Sequence, residues 1–365
     1  MKRLSAGEKR VICQNPSSPF GYFGWPSVTR LPDGALAMAA SGFRLKHVCP
    51  FGKGVVCYSR DEGRTWTRPA AAIDTPLDDR DCGIVAFGNG RVMLTSFNNT
   101  TAFQRRVNRD RTGAEKRLID AHLDLIEENG AQNAYLGSTY ALSEDGGYTF
   151  GPVRFAPITA PHGPARLLDG TLLYVGRRFS GDDSFDDGSA PYVECWTFDA
   201  NDEWKKLSEI QNVFDEYGLL SSCEPHCVQL PGGKIVAHIR VQRGGAHPVF
   251  TTYQTESADG GRTFSAPRPL LSPLGGAPSH LLLHSGGTLI AAYGYREPPY
   301  GIRVMLSRDG GASWDADWIL DADGETADLG YPATVERADG SLLTVFYENK
   351  NGRAVIMQKI WTLPY

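Results

Sequence analysis

The chain has 365 residues with 37 Lys and Arg against 42 Asp and Glu, a formal charge of -5, so it offers no general basic surface to nucleic acid or an anionic membrane. No stretch reaches the roughly 18 apolar residues of a membrane helix, and the opening MKRLSAGEKR has charge without the apolar segment of a secretory leader. Seven cysteines at 13, 49, 57, 82, 195, 223 and 227 are odd in number and scattered, which reads as reduced thiols of a cytoplasmic protein.

From the N-terminal end, one unit recurs six times: an apolar segment, a turn ending in Gly, and a second apolar segment. The copies are SVTRLPDGALAMAA, GIVAFGNGRVMLTS, PARLLDGTLLYVGR, HCVQLPGGKIVAHIR, HLLLHSGGTLIAAYG and ATVERADGSLLTVFY, with turn glycines Gly34, Gly90, Gly170, Gly233, Gly287 and Gly340. Each reads as a β-hairpin whose D-G, N-G or G-G turn needs a positive φ. The glycines are 56, 80, 63, 54 and 53 residues apart, the spacing of four-strand blades. The expected fold is all-β, a six-bladed β-propeller formed by residues 1–365 as one domain.

A second pattern follows the hairpins: Ser59-x-Asp61-x-Gly63-x-Thr65-Trp66, then Ser143 to Phe150, Ser257 to Phe264 and Ser307 to Trp314, with a degraded copy from Thr197 to Trp204. In this turn the Asp caps local backbone N–H groups, the Gly turns left-handed and the aromatic ring packs between blades. Its role is structural. The long interval carries an insertion, GAEKRLIDAHLDLIEENG, with Leu118, Ile119, Leu123 and Ile126 at helical spacing and Gly130 as a stop, which predicts a helix around 113–129. It reads as a solvated helix on a long loop, with a lid or an oligomer contact as the alternative. The basic run at 105–111 reads as a solvated face.

In a propeller the innermost strands start at one mouth of the axial channel, so repeat-equivalent positions converge there. Eight residues before each hairpin's penultimate turn residue stand Trp25, Asp81, Pro161, Glu224, Pro278 and Tyr331, with His162 and His280 beside the two prolines. Acids, a phenol and imidazoles at strand starts point to a polar pocket; hydrogen bonding to neighbouring blades is the plain alternative. Cys223, His226 and Cys227 are close together but lack a second ligand pair. No metal and no cofactor is expected.

Over nearly the whole chain these turns and hairpins resemble the sialidase (neuraminidase) superfamily. The segment from Glu224 to Arg240 is similar to the family's Glu segment, and Gly330 to Gly340 resembles its nucleophile segment. The resemblance implies a Tyr331 nucleophile with Glu224 as its base, and a substrate carboxylate held by Arg240 and by Arg296 or Arg303. A phenol with a pKa near 10 needs such a base, and a tyrosine nucleophile is a known exception to the two-carboxylate pattern of glycosidases. Arginine's planar fork suits a carboxylate.

Two departures accompany the matches. Where the family carries the first carboxylate-binding arginine, this chain has Trp25-Pro26-Ser27, and the loop that should bear the acid/base aspartate is Arg44-Leu-Lys-His47-Val-Cys-Pro-Phe-Gly-Lys-Gly54, without a carboxylate. His47 can donate a proton near neutral pH, and Asp81 from the neighbouring blade is the other proton donor to weigh. Arg44 is a possible anion contact, and Trp25 offers a ring face for a sugar. The expectation is an exo-acting glycoside hydrolase for a terminal acidic sugar. Its alternatives are a glycan lyase or histidine-dependent glycosidase using His162, His226 or His280, and a non-catalytic carbohydrate-binding propeller. A carbohydrate is the expected partner, with a homo-oligomer open.

Overall fold

The computed structural model describes residues 2–179 and 193–364. Six sheets of four or five strands stand around one axis as the blades of a propeller. Blade 1 runs from the inner strand Tyr22–Arg30 through Leu36–Arg44 and Lys53–Ser59 to Ala70–Ile73. The inner strands of blades 2 to 6 begin at Ile84, Ala165, Gly218, Ser279 and Leu329. The chain closes on itself: Arg10–Cys13 is the outer strand of blade 6, and Lys2–Arg3 adds a parallel edge to blade 5. Lys9 fixes that crossing through Asp321 at 3.3 Å, Glu348 at 2.9 Å and Asp323.

The hairpin reading holds at the backbone. All six turn glycines have φ between 77° and 89°, a region where a side chain would be strained. Asp61, Asp145, Asp259 and Asp309 each accept the backbone N–H and the hydroxyl of the residue four positions on. Those bonds hold Asp61 and Asp309 down to about 2. The rings that follow reach across blades, Trp66 donating to Gln358 at 2.8 Å and Trp314 to Gln254 at 2.7 Å.

The insertion forms α1 (Thr101–Val107), α2 (Gly113–Glu128) and α3 (Ala131–Tyr135). The expectation of a solvated helix is corrected: Ile119, Leu123 and Ile126 are buried against Leu77, Leu45, Phe51, Ala131 and Leu136. The basic run at 105–111 is tied down too, with Arg105 on Asp124 and Glu127 and Arg111 on Glu115. No described residue of α1, α2 or α3 borders the axial pocket described next.

All seven cysteines are unpaired and buried. Among the described residues no helix is long and apolar enough to cross a membrane.

Candidate active site

A cavity of about 220 Å³ opens at one mouth of the axis, and five of the six repeat-equivalent positions line it: Trp25, Asp81, Pro161, Glu224 and Tyr331. The backbone explains how these side chains reach it. Trp25, Asp81, Glu224 and Tyr331 have φ of 54°, 48°, 49° and 50°, a left-handed conformation that non-glycine residues adopt at a cost. The inner-strand register shifts at three of them, between Gly24 and Ser27, Cys223 and His226, and Gly330 and Ala333. A bulge re-aims one side chain out of the sheet's alternation. Proline, with φ fixed near -65°, is barred from this conformation in blades 3 and 5.

Glu224 and Tyr331 meet. The Tyr331 hydroxyl donates to Glu224 Oε1 at 2.6 Å, while Arg240 Nη1 donates to Glu224 Oε2 at 2.5 Å and to the phenol oxygen at 3.0 Å. Burial, then the charge of Glu224, holds the phenol well above its ordinary value, so at rest it is protonated with its proton aimed at the carboxylate. The guanidiniums of Arg240 and Arg296 stand 4.6 and 4.9 Å from the centre of the Phe250 ring. Arg240 also donates from Nε and Nη2 to Gln242. Arg296 uses Nε on the Leu329 carbonyl and lies 5.8 Å from the Tyr331 ring, leaving its outer edge to the pocket it lines.

His47 borders the same cavity with its side chain 46% exposed. Its Nδ1 is 3.0 Å from Asp328, a residue the sequence reading passed over. Asp328 also accepts from Tyr22 at 3.0 Å, Tyr347 at 2.9 Å and Asn349 at 2.9 Å. Burial would raise Asp328, but these donors hold it at about 2. The imidazole stands edge-on to Trp25 at 4.8 Å. Asp81 is 7% exposed and lies deeper in the wall.

Other expectations are corrected. Arg303 is 3% exposed, away from the cavity, donating to the carbonyls of Asp321 and Pro299 and covering Tyr295. Arg44 is wholly buried in an ion pair with Asp78 at 2.6 Å. It shapes the loop that carries His47 and borders no ligand space. Trp25 lines the cavity but is 1% exposed, with the guanidiniums of Arg80 and Arg44 over its ring at 4.8 and 5.1 Å. Its face is occupied and is not a free platform for a sugar.

His162, His226 and His280 do not join the pocket. They lie together inside the axial channel, a separate space of about 270 Å³, with ring centroids 4.3 to 5.5 Å apart. His226 Nδ1 accepts from the Leu281 N–H and His280 Nδ1 from the Thr334 N–H. His226 and His280 therefore carry their protons on Nε2, with no lone pair left to ligate a metal. A histidine-dependent reaction using His162, His226 or His280 with Tyr331 loses its geometric basis, since the histidines and the phenol line different cavities. The sequence also missed Arg80, Arg177, Phe97 and Phe179 on the cavity wall; Arg80 precedes the repeat-equivalent Asp81, and that adjacency was its only signal.

No curated protein matches the sequence. A structure of a protein of unknown function from Dyadobacter fermentans is similar over the full length of both chains, at 22% identity and a TM-score of 0.75. The NanB sialidase of Streptococcus pneumoniae is similar over 98% of this chain and 71% of its own, at 13% identity and a TM-score of 0.67. An intramolecular trans-sialidase from Ruminococcus gnavus matches over 94% of each chain, at 13% identity and a TM-score of 0.61. These likenesses establish the sialidase-like fold. A family model described as a BNR repeat-like domain matches residues 127–344, more than half of the sequence, so the chain belongs to the BNR repeat-like domain family.

Proposed function

We propose that this protein is an exo-acting glycoside hydrolase that removes a terminal acidic sugar through a Tyr331 nucleophile. The observation that carries the reading is the 2.6 Å hydrogen bond from Tyr331 to Glu224 on the wall of an axial pocket. In the first step the phenol oxygen bonds to the anomeric carbon and its proton passes to Glu224. His47 Nε2 protonates the departing glycosidic oxygen. Water then attacks the anomeric carbon, His47 takes the water's proton and the phenol regains its own from Glu224. A neutral nucleophile meets an anionic sugar without charge repulsion, and Arg296 faces its acidic group. We assign the acid to His47 rather than Asp81 because it is the more exposed of the two and is oriented by a carboxylate.

The test is release of free sugar from aryl glycosides of sialic and glucuronic acid, with mass analysis of products. Glu224→Gln should lower kcat by about 10²–10⁴, the usual worth of a positioned base, and Tyr331→Phe by at least as much. Product carrying a new double bond would establish elimination instead. Turnover that survives both substitutions would end the Tyr–Glu mechanism.

A further inference from the structure

Beyond the strand starts that form the Tyr331 pocket, the inner strands run on past the second axial space of about 270 Å³. His226 and His280 hold the same position in blades 4 and 5, two residues after Glu224 and Pro278. They make the same bond. Each Nδ1 takes an N–H from the next blade's inner strand, that of Leu281 at 3.0 Å and that of Thr334 at 3.3 Å. Each Nε2–H is thereby turned away from that strand. The rings lie nearly parallel, 17° apart in plane, with centroids separated by 4.3 Å.

Neither Nε2 has a hydrogen-bond partner among the described residues, yet neither is sealed: His226 and His280 keep 9% and 8% exposure, and the axial cavity is the space they border. An N–H without an acceptor is costly to leave in a protein interior. His162 stands edge-on to both rings with its own nitrogens buried, so it walls the cluster and offers a ligand nothing. Burial keeps the His226 and His280 rings neutral at pH 7.

The rest of the lining says what acceptor fits. Val28, Val85, Val228, Leu282 and Val335 bring aliphatic surface from five blades. The charged groups are Arg30, paired with Glu62 at 2.7 Å, and the exposed Arg166. No Asp or Glu stands among the described lining residues. Water would satisfy the two donors but leave the aliphatic wall wet. A mostly apolar cavity with a few well-placed polar groups is the usual build of a small-molecule site.

We propose that this axial cavity is a second ligand site, binding a small monocarboxylate with a short aliphatic body, its two oxygens on Nε2 of His226 and Nε2 of His280. Hydrogen bonds to an ionised carboxylate are shorter and stronger than those to a neutral acceptor. The site is separate from the Tyr331 pocket and stands whether or not the protein cleaves a glycoside.

Sodium butyrate is the probe, with sodium chloride at equal ionic strength as the reference and butyramide as the uncharged isostere. Thermal melting compares the wild type with His280→Phe, which removes one donor, and with Val335→Phe, which narrows the cavity and leaves both imidazoles. Near saturation butyrate should raise the wild-type melting temperature by about 2–4 °C over chloride, and both variants should lose that gain. Solvent effects of the salts act on all three proteins and cancel in the comparison. No gain in the wild type, an equal gain in the variants, or an equal gain with butyramide each overturns the proposal. Nitrogen NMR of the wild type locates the ligand without any substitution. Butyrate should shift Nε2 of His226 and His280; a shift confined to His47 would put the ligand in the Tyr331 pocket and overturn the proposal. Should either variant fail to fold, the other variant and the NMR decide.

Discussion

His47 is held by a carboxylate that has no proton to give. Asp328 is ionised, with four donors around it and a pKa of about 2. Its oxygen 3.0 Å from Nδ1 presents only lone pairs, and the Tyr22 hydroxyl, also 3.0 Å from Nδ1, gives its single proton to Asp328, so Nδ1 carries the hydrogen. Neutral His47 is therefore the Nδ1–H tautomer, and Nε2 is the atom that exchanges protons with the pocket. Burial pulls the imidazole below its ordinary value of 6.5, Asp328 pushes it up, and Arg80 and Arg44 add to the depression. A proton donor must be charged, so kcat/KM should fall as pH rises through a value below 6.5. Asp328→Asn removes the one group raising that value, so the limb should move to lower pH with KM little changed. Nitrogen NMR of His47 gives a check independent of turnover: the Nδ1–H signature in the wild type should be lost in Asp328→Asn. An unchanged tautomer and titration would show that Asp328 only braces the tyrosines. None of this was legible in the sequence, where Asp328 sits in the loop before blade 6 and His47 in a loop of blade 1. Repeat counting finds strand starts, and Arg80 and Asp328 act from loops whose convergence only the closed ring creates. Trp25 was found by counting, but which groups cover its faces depends on two neighbouring segments.

At the scale of elements, the hairpins and the helix were readable because each is specified locally. A D-G or G-G pair states its own φ, and the apolar spacing of α2 states its own face, so the expected 113–129 and the observed Gly113–Glu128 nearly coincide. What an amphipathic period cannot state is the surface its stripe meets. Ile119, Leu123 and Ile126 lie against Leu77, which precedes blade 2, and against Leu45 and Phe51 of the loop bearing His47. Helix α1 went unread because its basic run looks solvated; in the structure Thr100 caps it on the Phe103 N–H, and Arg105 is neutralised by α2. The helix thus braces one wall of the site from outside. Leu123→Ala should cost about 2–5 kcal/mol of local stability, read by hydrogen exchange across α2 and residues 45–51. It should also weaken turnover through His47 while leaving the Tyr331–Glu224 bond in place. Full activity together with lost protection would show that the helix is decoration rather than support.

Closing six blades around one axis leaves four imidazoles largely withdrawn from water. Burial holds His226 at about 4 and His238 at about 3, and places His162 and His280 well below 6.5. Above pH 6.5 these rings are neutral whether the chain is folded or not, and they make no pH-dependent contribution. As pH falls below 6.5 the unfolded chain takes up protons that the folded chain refuses, so stability drops until the folded values are reached. One ring contributes at most about 1.4 kcal/mol per pH unit, four about 5. Asp79, raised by burial to about 7, works in the opposite sense over the same window, but it is one group against four. Since domains are stable by only about 5–15 kcal/mol, the propeller should unfold cooperatively between about pH 6 and 4, well before its turn aspartates are protonated. His162 isolates the effect, because both its ring nitrogens are buried without a partner among the described residues. His162→Leu should therefore be at least as stable as the wild type at pH 7, and its advantage should widen at pH 5 as one quarter of the imidazole slope disappears. Urea unfolding at pH 7, 6 and 5 measures both quantities. A variant less stable than wild type by the same amount at all three values would mean that His162 is held by packing alone, and that the acid limit of the fold lies elsewhere.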